Sequence, residues 1–220
     1  MRRRRQRQFV VIGLGAFGSS VAATLYELGQ EVLAADSCEE RVQEMAPYVT
    51  HAVQVDATDE QALKALGIRN FDVAVVAIGD IEANILATSL VKGLGVPYVV
   101  ARAVSEVHGR VLERVGADRV VRPERDMGIR VAHTLLSGNL IEYVELIPGY
   151  SVVEVMAKEA FVGRSLRELD LRAKYGINIL AIRRGDRVLP VPSPDTVIQA
   201  GDILLAMGED ERLEELEALS

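Results

Sequence analysis

A glycine-spaced turn at residues 13–18 constrains this chain more than any other feature. The stretch Phe9-Val10-Val11-Ile12-Gly13-Leu14-Gly15-Ala16-Phe17-Gly18 carries an apolar run into a Gly-x-Gly-x-x-Gly sequence. A helical pattern through Val21, Ala22, Leu25 and Leu28 follows it. Strand, tight turn and helix N-terminus, in that order, form a phosphate-binding arrangement. Gly13 supplies the sharp turn, Gly15 leaves no Cβ in the way of a pyrophosphate, and Gly18 lets the helix pack close to the strand. The helix start then offers unpaired N–H groups and the positive end of a dipole to an anion.

The glycine spacing alone is a weak signal, so its context decides. A second apolar run, Glu31-Val32-Leu33-Ala34-Ala35, ends at Asp36, 23 positions after Gly13. An acid at that place hydrogen-bonds a ribose diol in dinucleotide folds. The competing reading is an ordinary glycine-rich turn, with Asp36 as a helix cap. The whole sequence of strand, turn, helix, strand and acid favours nucleotide binding.

The rest of the N-terminal half repeats that alternation. Ser37-x-x-Glu40 reads as a capping box opening a helix to about Ala46. His51 to Asp56 reads as a strand, and Thr58-x-x-Gln61 as the cap of a helix ending near Gly67. Phe71 to Gly79 is nearly continuous apolar strand, as expected where helices cover both faces of a parallel sheet. A helix through Ile85, Leu86, Leu90 and Leu94 leads to a strand at Tyr98–Arg102. A helix from Val107 to Val115 and a strand from Arg119 to Glu124 follow. Asp126 is placed to cap a last helix through Ile129 and Leu136. This predicts an α/β fold, a Rossmann-like doubly wound parallel sheet of order 3-2-1-4-5-6. Asp36, Asp56, Gly79, Arg102 and Glu124 all stand at expected strand ends, so one sheet edge should gather them.

Beyond Ser137-Gly138-Asn139 the pattern shortens and alternates. Strands are expected at Tyr143–Ile147, Ser151–Ala157, Ile177–Arg183 and Asp202–Met207. Ser165-x-x-Glu168 should cap a helix to about Tyr175, closed by Gly176. Pro190, Pro192 and Pro194 read as a loop, and residues 209–219 as a terminal helix. The chain thus divides into a basic tail at 1–7, a nucleotide-binding domain at 8–138 and a small α+β lobe at 139–220.

Composition narrows the function classes. With 220 residues, the chain is long enough for one large domain or two small ones, and 49% hydrophobic content supports a buried core and argues against disorder. A net charge of −7 argues against a nucleic-acid partner. The run Arg2–Arg5 with Arg7 resembles the start of a signal peptide, but the glycine spacing and the amphipathic helix after it contradict that reading. That run is expected to be a solvated end, with contact to a membrane surface or acidic partner as the alternative. Cys38 is the single cysteine, without a Cys-x-x-Cys partner. His51, His108 and His133 form no recognisable constellation and are expected at the surface or at caps. There is no phosphate-loop lysine motif and no metal-spaced His/Cys cluster. The first half binds a nucleotide, and nothing recognisable uses it chemically.

Several stretches have no role in a generic dehydrogenase loop: Leu66-Gly-Ile-Arg-Asn-Phe71, Val75-Val-Ala-Ile-Gly79, Gly116-Ala-Asp-Arg119, Pro123-Glu-Arg-Asp-Met-Gly128 and Leu171-Arg-Ala-Lys-Tyr-Gly176. Together with the glycine loop, the chain resembles, along its full length, the KtrA type of cytosolic regulatory subunit of Ktr/Trk potassium transporters. These subunits consist of an RCK (regulator of K⁺ conductance) N-lobe and a smaller C-lobe. The resemblance implies a non-enzymatic protein at the inner face of the cell membrane. It implies an octameric ring of dimers docked on an integral-membrane potassium channel subunit of the KtrB/TrkH type. ATP or ADP would occupy the N-lobe and its exchange would reshape the ring.

Carried over by position, Gly13, Gly15, Ala16, Phe17 and Gly18 border the phosphates, Asp36 the ribose, and Asp56, Ala77, Ile78 and Gly79 the adenine side. Arg102 matches a basic position near the phosphates. Glu124 matches an acid that helps hold a cation (Ca²⁺, Mg²⁺ or Na⁺) between paired N-lobes; the alternative is a helix-capping acid. Many relatives place arginine where Ala16 stands, to reach the terminal phosphate. Its loss leaves weaker discrimination of ATP from ADP, reliance on Arg102, or preference for NAD(H). In the C-lobe, Arg172 and Asn178 match a cyclic di-AMP site, with Ile177, Ile179 and Pro194 as walls. The alternative there is a helix-end charge and plain core. The rival function is a small NAD(P)-dependent oxidoreductase, which sustained NADH turnover would reveal.

Overall fold

The computed structural model describes residues 7–136 and 140–218. The arginine run at 2–5 and the Ser137–Asn139 transition lie outside the described residues. The chain divides into two compact units, 1–124 and 125–220.

In the first unit six parallel strands form one sheet of order β3-β2-β1-β4-β5-β6. They are β1 (Gln8–Ile12), β2 (Glu31–Asp36), β3 (His51–Gln54), β4 (Val73–Val76), β5 (Tyr98–Arg102) and β6 (Arg119–Val121). This is the expected doubly wound order. Ile12 pairs in register with Ala35 on one side and Val76 on the other. Successive residues of a strand face opposite sides, and both sides are covered here. Val10 and Ile12 enter one core with Leu63, Ala87 and Val91, while Val11 enters another with Ala22, Val32 and Ala34. That double burial is why the strands read as apolar runs and not as alternation. Ile12 and Leu63 are essentially fully buried, each contributing about 1.5–3 kcal/mol by leaving water.

The helices between them are α1 (Ala16–Glu27), α2 (Glu39–Met45), α3 (Glu60–Ala65), α4 (Ile81–Gly93) and α5 (Glu106–Arg114). Two expected caps are displaced by one residue. Cys38, not Ser37, is the N-cap of α2, and it makes no side-chain cap. Asp59, not Thr58, caps α3 by accepting from the N–H groups of Gln61 and Ala62. Thr58 instead donates its hydroxyl to Asp56. Strand six is shorter than expected: β6 ends at Val121, and α6 (Pro123–Leu136) begins at Pro123. Proline is well suited to a helix's first position, where its missing N–H costs nothing. Glu124 therefore sits in a helical first turn, and Asp126 lies within the helix instead of capping it.

The boundary between units precedes the expected one at 139. From residue 125, α6 goes with the second unit, where Ile129 packs against the core. That unit holds β7 (Leu140–Ile147), β8 (Tyr150–Met156), β9 (Asn178–Arg184), β10 (Arg187–Pro190) and β11 (Ile203–Glu209), antiparallel in the order β10-β9-β11-β8-β7. Tyr143, Val153, Phe161, Ile182, Ile198 and Leu204 form its core. The capping box forms as expected, Ser165 accepting from Glu168 N while the Glu168 carboxylate accepts from Ser165 N. The helix it opens is not single. Asp170 takes a left-handed φ of 48° and splits it into α7 (Leu166–Leu169) and α8 (Leu171–Tyr175). Pro190, expected in a loop, is instead the last residue of β10, which pairs with β9 at the sheet edge, a position that tolerates proline. The acidic helix α9 (Asp210–Ala218) closes the unit.

Candidate functional site

The glycine loop is held by backbone geometry that other residues cannot adopt. Gly13 has φ +93°, and a Cβ there would stand 2.8 Å from the Ala77 carbonyl carbon and the Ile78 nitrogen. A Cβ on Gly18 would lie 1.8 Å from the Gly13 carbonyl oxygen. These two positions set the close approach of α1, β1 and the end of β4. Gly15 differs: nothing lies within 4 Å of a Cβ built on it. It is the N-cap of the 12-residue α1, which has no side-chain cap and no acid in its first turn. Its free N–H groups and dipole end are left for an anion.

A cleft of about 440 Å³ opens at this edge. Of the residues expected to gather there, Gly13, Gly15, Asp36, Asp56, Ala77, Ile78, Gly79 and Arg102 line it. The other three loop residues do not. Ala16 is exposed at the start of α1, Phe17 packs against the core beside Val11 and Ala22, and Gly18 is buried under Gly13. The carboxyl ends of β1 to β5 supply these residues, as doubly wound sheets dictate.

Asp36 is only 6% exposed. Its Oδ2 accepts from Leu14 N at 2.6 Å and its Oδ1 from Cys38 N at 2.9 Å. The carboxylate thus ties the glycine loop to the end of β2 while retaining lone pairs toward the cleft. Arg41, on the first turns of α2, stands 3.6 Å from Asp36 and lines the same cleft. Asp56 is exposed, and the Thr58 hydroxyl and N–H hold its carboxyl below the usual range. Arg102 donates from Nε and Nη2 to Glu124 Oε1 at 3.1 and 2.5 Å. That hydrogen bond lowers the Glu124 carboxyl pKa, overcoming its slight desolvation. The Glu124 carboxylate, expected near a cation, is committed to Arg102. Among the described residues no group of three or more His, Cys, Asp or Glu could hold a metal ion.

Sequence reasoning missed two contributors. Arg41 carried no motif. Asn84 did carry a signal, a polar residue on the α4 face shared with Ala87, Thr88 and Val91, all buried. It is fully buried, and its Nδ2 donates to Ile78 O at 2.8 Å and Arg102 O at 3.3 Å. It therefore pins together the ends of β4 and β5 that form one wall of the cleft. His108 corrects an expectation: it is neither surface nor cap but 3% exposed on the inner face of α5. His51 is exposed, and His133 stacks on Tyr143 with ring centroids 4.0 Å apart.

The second unit has its own cleft, of about 330 Å³. Arg172, Asn178, Ile177, Ile179 and Pro194 all line it, with Arg167 at the rim. Arg167 donates its Nε to Asp195 at 2.9 Å and its backbone N–H to Pro194 O at 2.7 Å. The Arg172 guanidinium, the Asn178 amide and the apolar walls can accept a ligand with an anionic group and a planar base. Among the described residues no helix is long and apolar enough to cross a membrane.

Comparison with known proteins matches residues 9–123 to the TrkA-N domain and residues 151–220 to the TrkA-C domain. The chain is 48% identical over 204 residues to Ktr system potassium uptake protein C of Bacillus subtilis, covering 92% of each. It is 43% identical over 218 residues to Ktr system potassium uptake protein A of the same organism, covering 99% of this chain and 98% of that one. In three dimensions it matches the crystal structure of the GsuK RCK domain with a TM-score of 0.69 at 19% identity. That match takes in 100% of this chain and 48% of the other, about half its length.

Proposed function

Because this chain belongs to the family of Ktr system potassium uptake proteins, with a TrkA-N domain followed by a TrkA-C domain, we propose that it is a non-enzymatic regulatory subunit that senses adenine nucleotides and sets potassium uptake through a membrane partner. The observation that carries this reading is the uncapped N-terminus of α1, which opens through Gly15 onto a cleft that also holds Asp36. The diphosphate lies on Gly13–Gly18, the ribose diol on Asp36, and the base between Asp56 and the Ala77–Gly79 segment. Arg102 adds positive charge on the phosphate side. ATP and ADP are the ligands, with NAD(H) the alternative left open by Ala16. The second cleft takes cyclic di-AMP, with Arg172 on a phosphate and Asn178 on a base edge.

The subunit acts at the cytoplasmic face, as an octameric ring on a channel subunit of the KtrB/TrkH type. A ligand drives such a ring only by binding its two shapes with different affinity. The buried Asn84 links two strand ends of the nucleotide wall, so closure around a ligand moves them together. Calorimetric titration of the full chain with ATP, ADP, NAD and cyclic di-AMP tests the reading. Adenine nucleotides should bind, and Arg102→Ala should weaken them while leaving cyclic di-AMP unaffected. No binding of any adenine nucleotide would overturn it.

A further inference from the structure

The end of β5 is tied to α5 by an imidazole. Beyond Arg102, Ala103 N donates to Val121 O at 2.9 Å, and Val104 N donates to His108 Nδ1 at 3.4 Å. Ser105 Oγ caps α5 by accepting from His108 N at 3.1 Å. A ring that accepts at Nδ1 is neutral and carries its proton on Nε2. That Nε2 is buried without a hydrogen-bond partner. The bond to Val104 exists only in the neutral form, since a protonated ring would set one N–H against another.

Burial first, and the Arg102 charge second, hold the His108 pKa below its ordinary value. Of the other charged groups nearby, Glu113 and Arg114 of α5 are exposed and Arg122, just after β6, is half-buried. Lys92 of α4 is held by Asp118, Glu106 and Arg110 of α5 pair with each other, and Arg102 is itself held by Glu124. Glu82 of α4 and Arg119 of β6 are exposed.

We propose that His108 is a positioning residue that makes ligand binding in the Arg102 cleft proton-sensitive. The neutral ring holds the turn after Arg102; the protonated ring releases it and loosens Arg102 from its place. This rests on the reading of that cleft as a nucleotide site. The sign follows from the depressed basicity. The folded protein binds fewer protons here than the unfolded chain, so the contribution is full above about pH 6.5 and is lost as pH falls below that.

The test titrates the full chain with ADP at about pH 7.5 and about pH 5.5, comparing wild type with H108N and H108L. Asparagine places Oδ1 where Nδ1 stood, so it accepts from Val104 without titrating. ADP's own protonation is common to all three and cancels. On acidification wild type should lose about fivefold to tenfold more affinity than H108N, the size of a modest coupling between sites. H108L should bind weakly at both pH values. Parallel pH profiles for wild type and H108N, with ADP bound at the higher pH, overturn this proposal alone. No ADP binding by folded wild type overturns the nucleotide reading as well. A ligand-free measurement decides independently: nitrogen NMR should show the Nε2–H tautomer titrating below the usual histidine range, and an Nδ1–H tautomer overturns the proposal.

Discussion

Replacing Asp36 with alanine perturbs folding and binding together, and the structure separates the two. The carboxylate receives a backbone N–H on each oxygen, from Leu14 inside the glycine loop and from Cys38 at the start of α2. Leu14 and the carboxylate are both buried, 3% and 6% exposed, so water cannot replace the lost acceptor at Leu14. The Cys38 N–H is partly buried and recovers some hydration. A hydrogen bond to a charged group contributes about 1.5–3 kcal/mol. Taking the full value for Leu14 and a fraction for Cys38 gives a loss of about 2–4 kcal/mol. For a unit of 124 residues, 1 kcal/mol displaces the midpoint by about 3–5 °C, so the first unit should melt roughly 10 °C lower. Calorimetric melting without ligand measures this term alone. Nucleotide affinity, measured well below the new midpoint, should fall by a further factor of ten or more, for about 1.5–3 kcal/mol at the ribose. A midpoint unchanged within about 2 °C would refute the claim that Asp36 holds the loop. Unchanged affinity in a folded variant would refute the ribose assignment.

Three other outcomes follow from single geometries. Gly18→Ala forces a Cβ to within 1.8 Å of the Gly13 carbonyl, so the loop must move; urea denaturation should show a loss of about 3 kcal/mol or more, and a neutral result would contradict the packing of α1 on β1. Ala16→Arg returns a cation to the exposed start of α1 and should raise the ATP-over-ADP affinity ratio about tenfold; a folded variant with an unchanged ratio would mean that Ala16 is not at the terminal phosphate. Asp202 is fully buried and accepts two bonds from Arg184, at 2.8 and 2.8 Å, and one from Gln199 N. The Arg184 bond depresses the Asp202 pKa, so its contribution is full above about pH 4 and disappears as pH falls through the lower folded value. Asp202→Ala should cost about 3–5 kcal/mol at neutral pH, with the gap to wild type narrowing in acid.

The parts that were legible in the sequence are those where the backbone permits one residue type. Gly13 and Gly18 are required by φ and by contact distances, so their spacing announced both the loop and the strand ends around it. The strand order followed from apolar runs buried on two faces. Caps were harder, because Ser37 and Cys38, or Thr58 and Asp59, are adjacent candidates. The residue at which the helical backbone starts decides between them, and of the two positions taken only Asp59 places a side-chain oxygen on the first N–H groups. The break at Asp170 was hidden, since a non-glycine left-handed residue leaves no compositional mark. The strand β10 was masked by Pro190, which only an edge position accommodates. Asn84 and His108 were readable in principle. Each lies on a helix face with buried neighbours, His108 one turn before the buried Leu112, but a polar residue on an apolar face is informative only once its partner is known.

Native mass spectrometry of the full purified chain tests the central claim most directly, because it weighs the assembly and its bound ligand at once. The account predicts a particle near eight times the 24.0 kDa chain, with an added mass per subunit matching an adenine nucleotide. That mass should disappear in Asp36→Ala. A monomer that retains no nucleotide and gains none when ATP, ADP or NAD is added would contradict it.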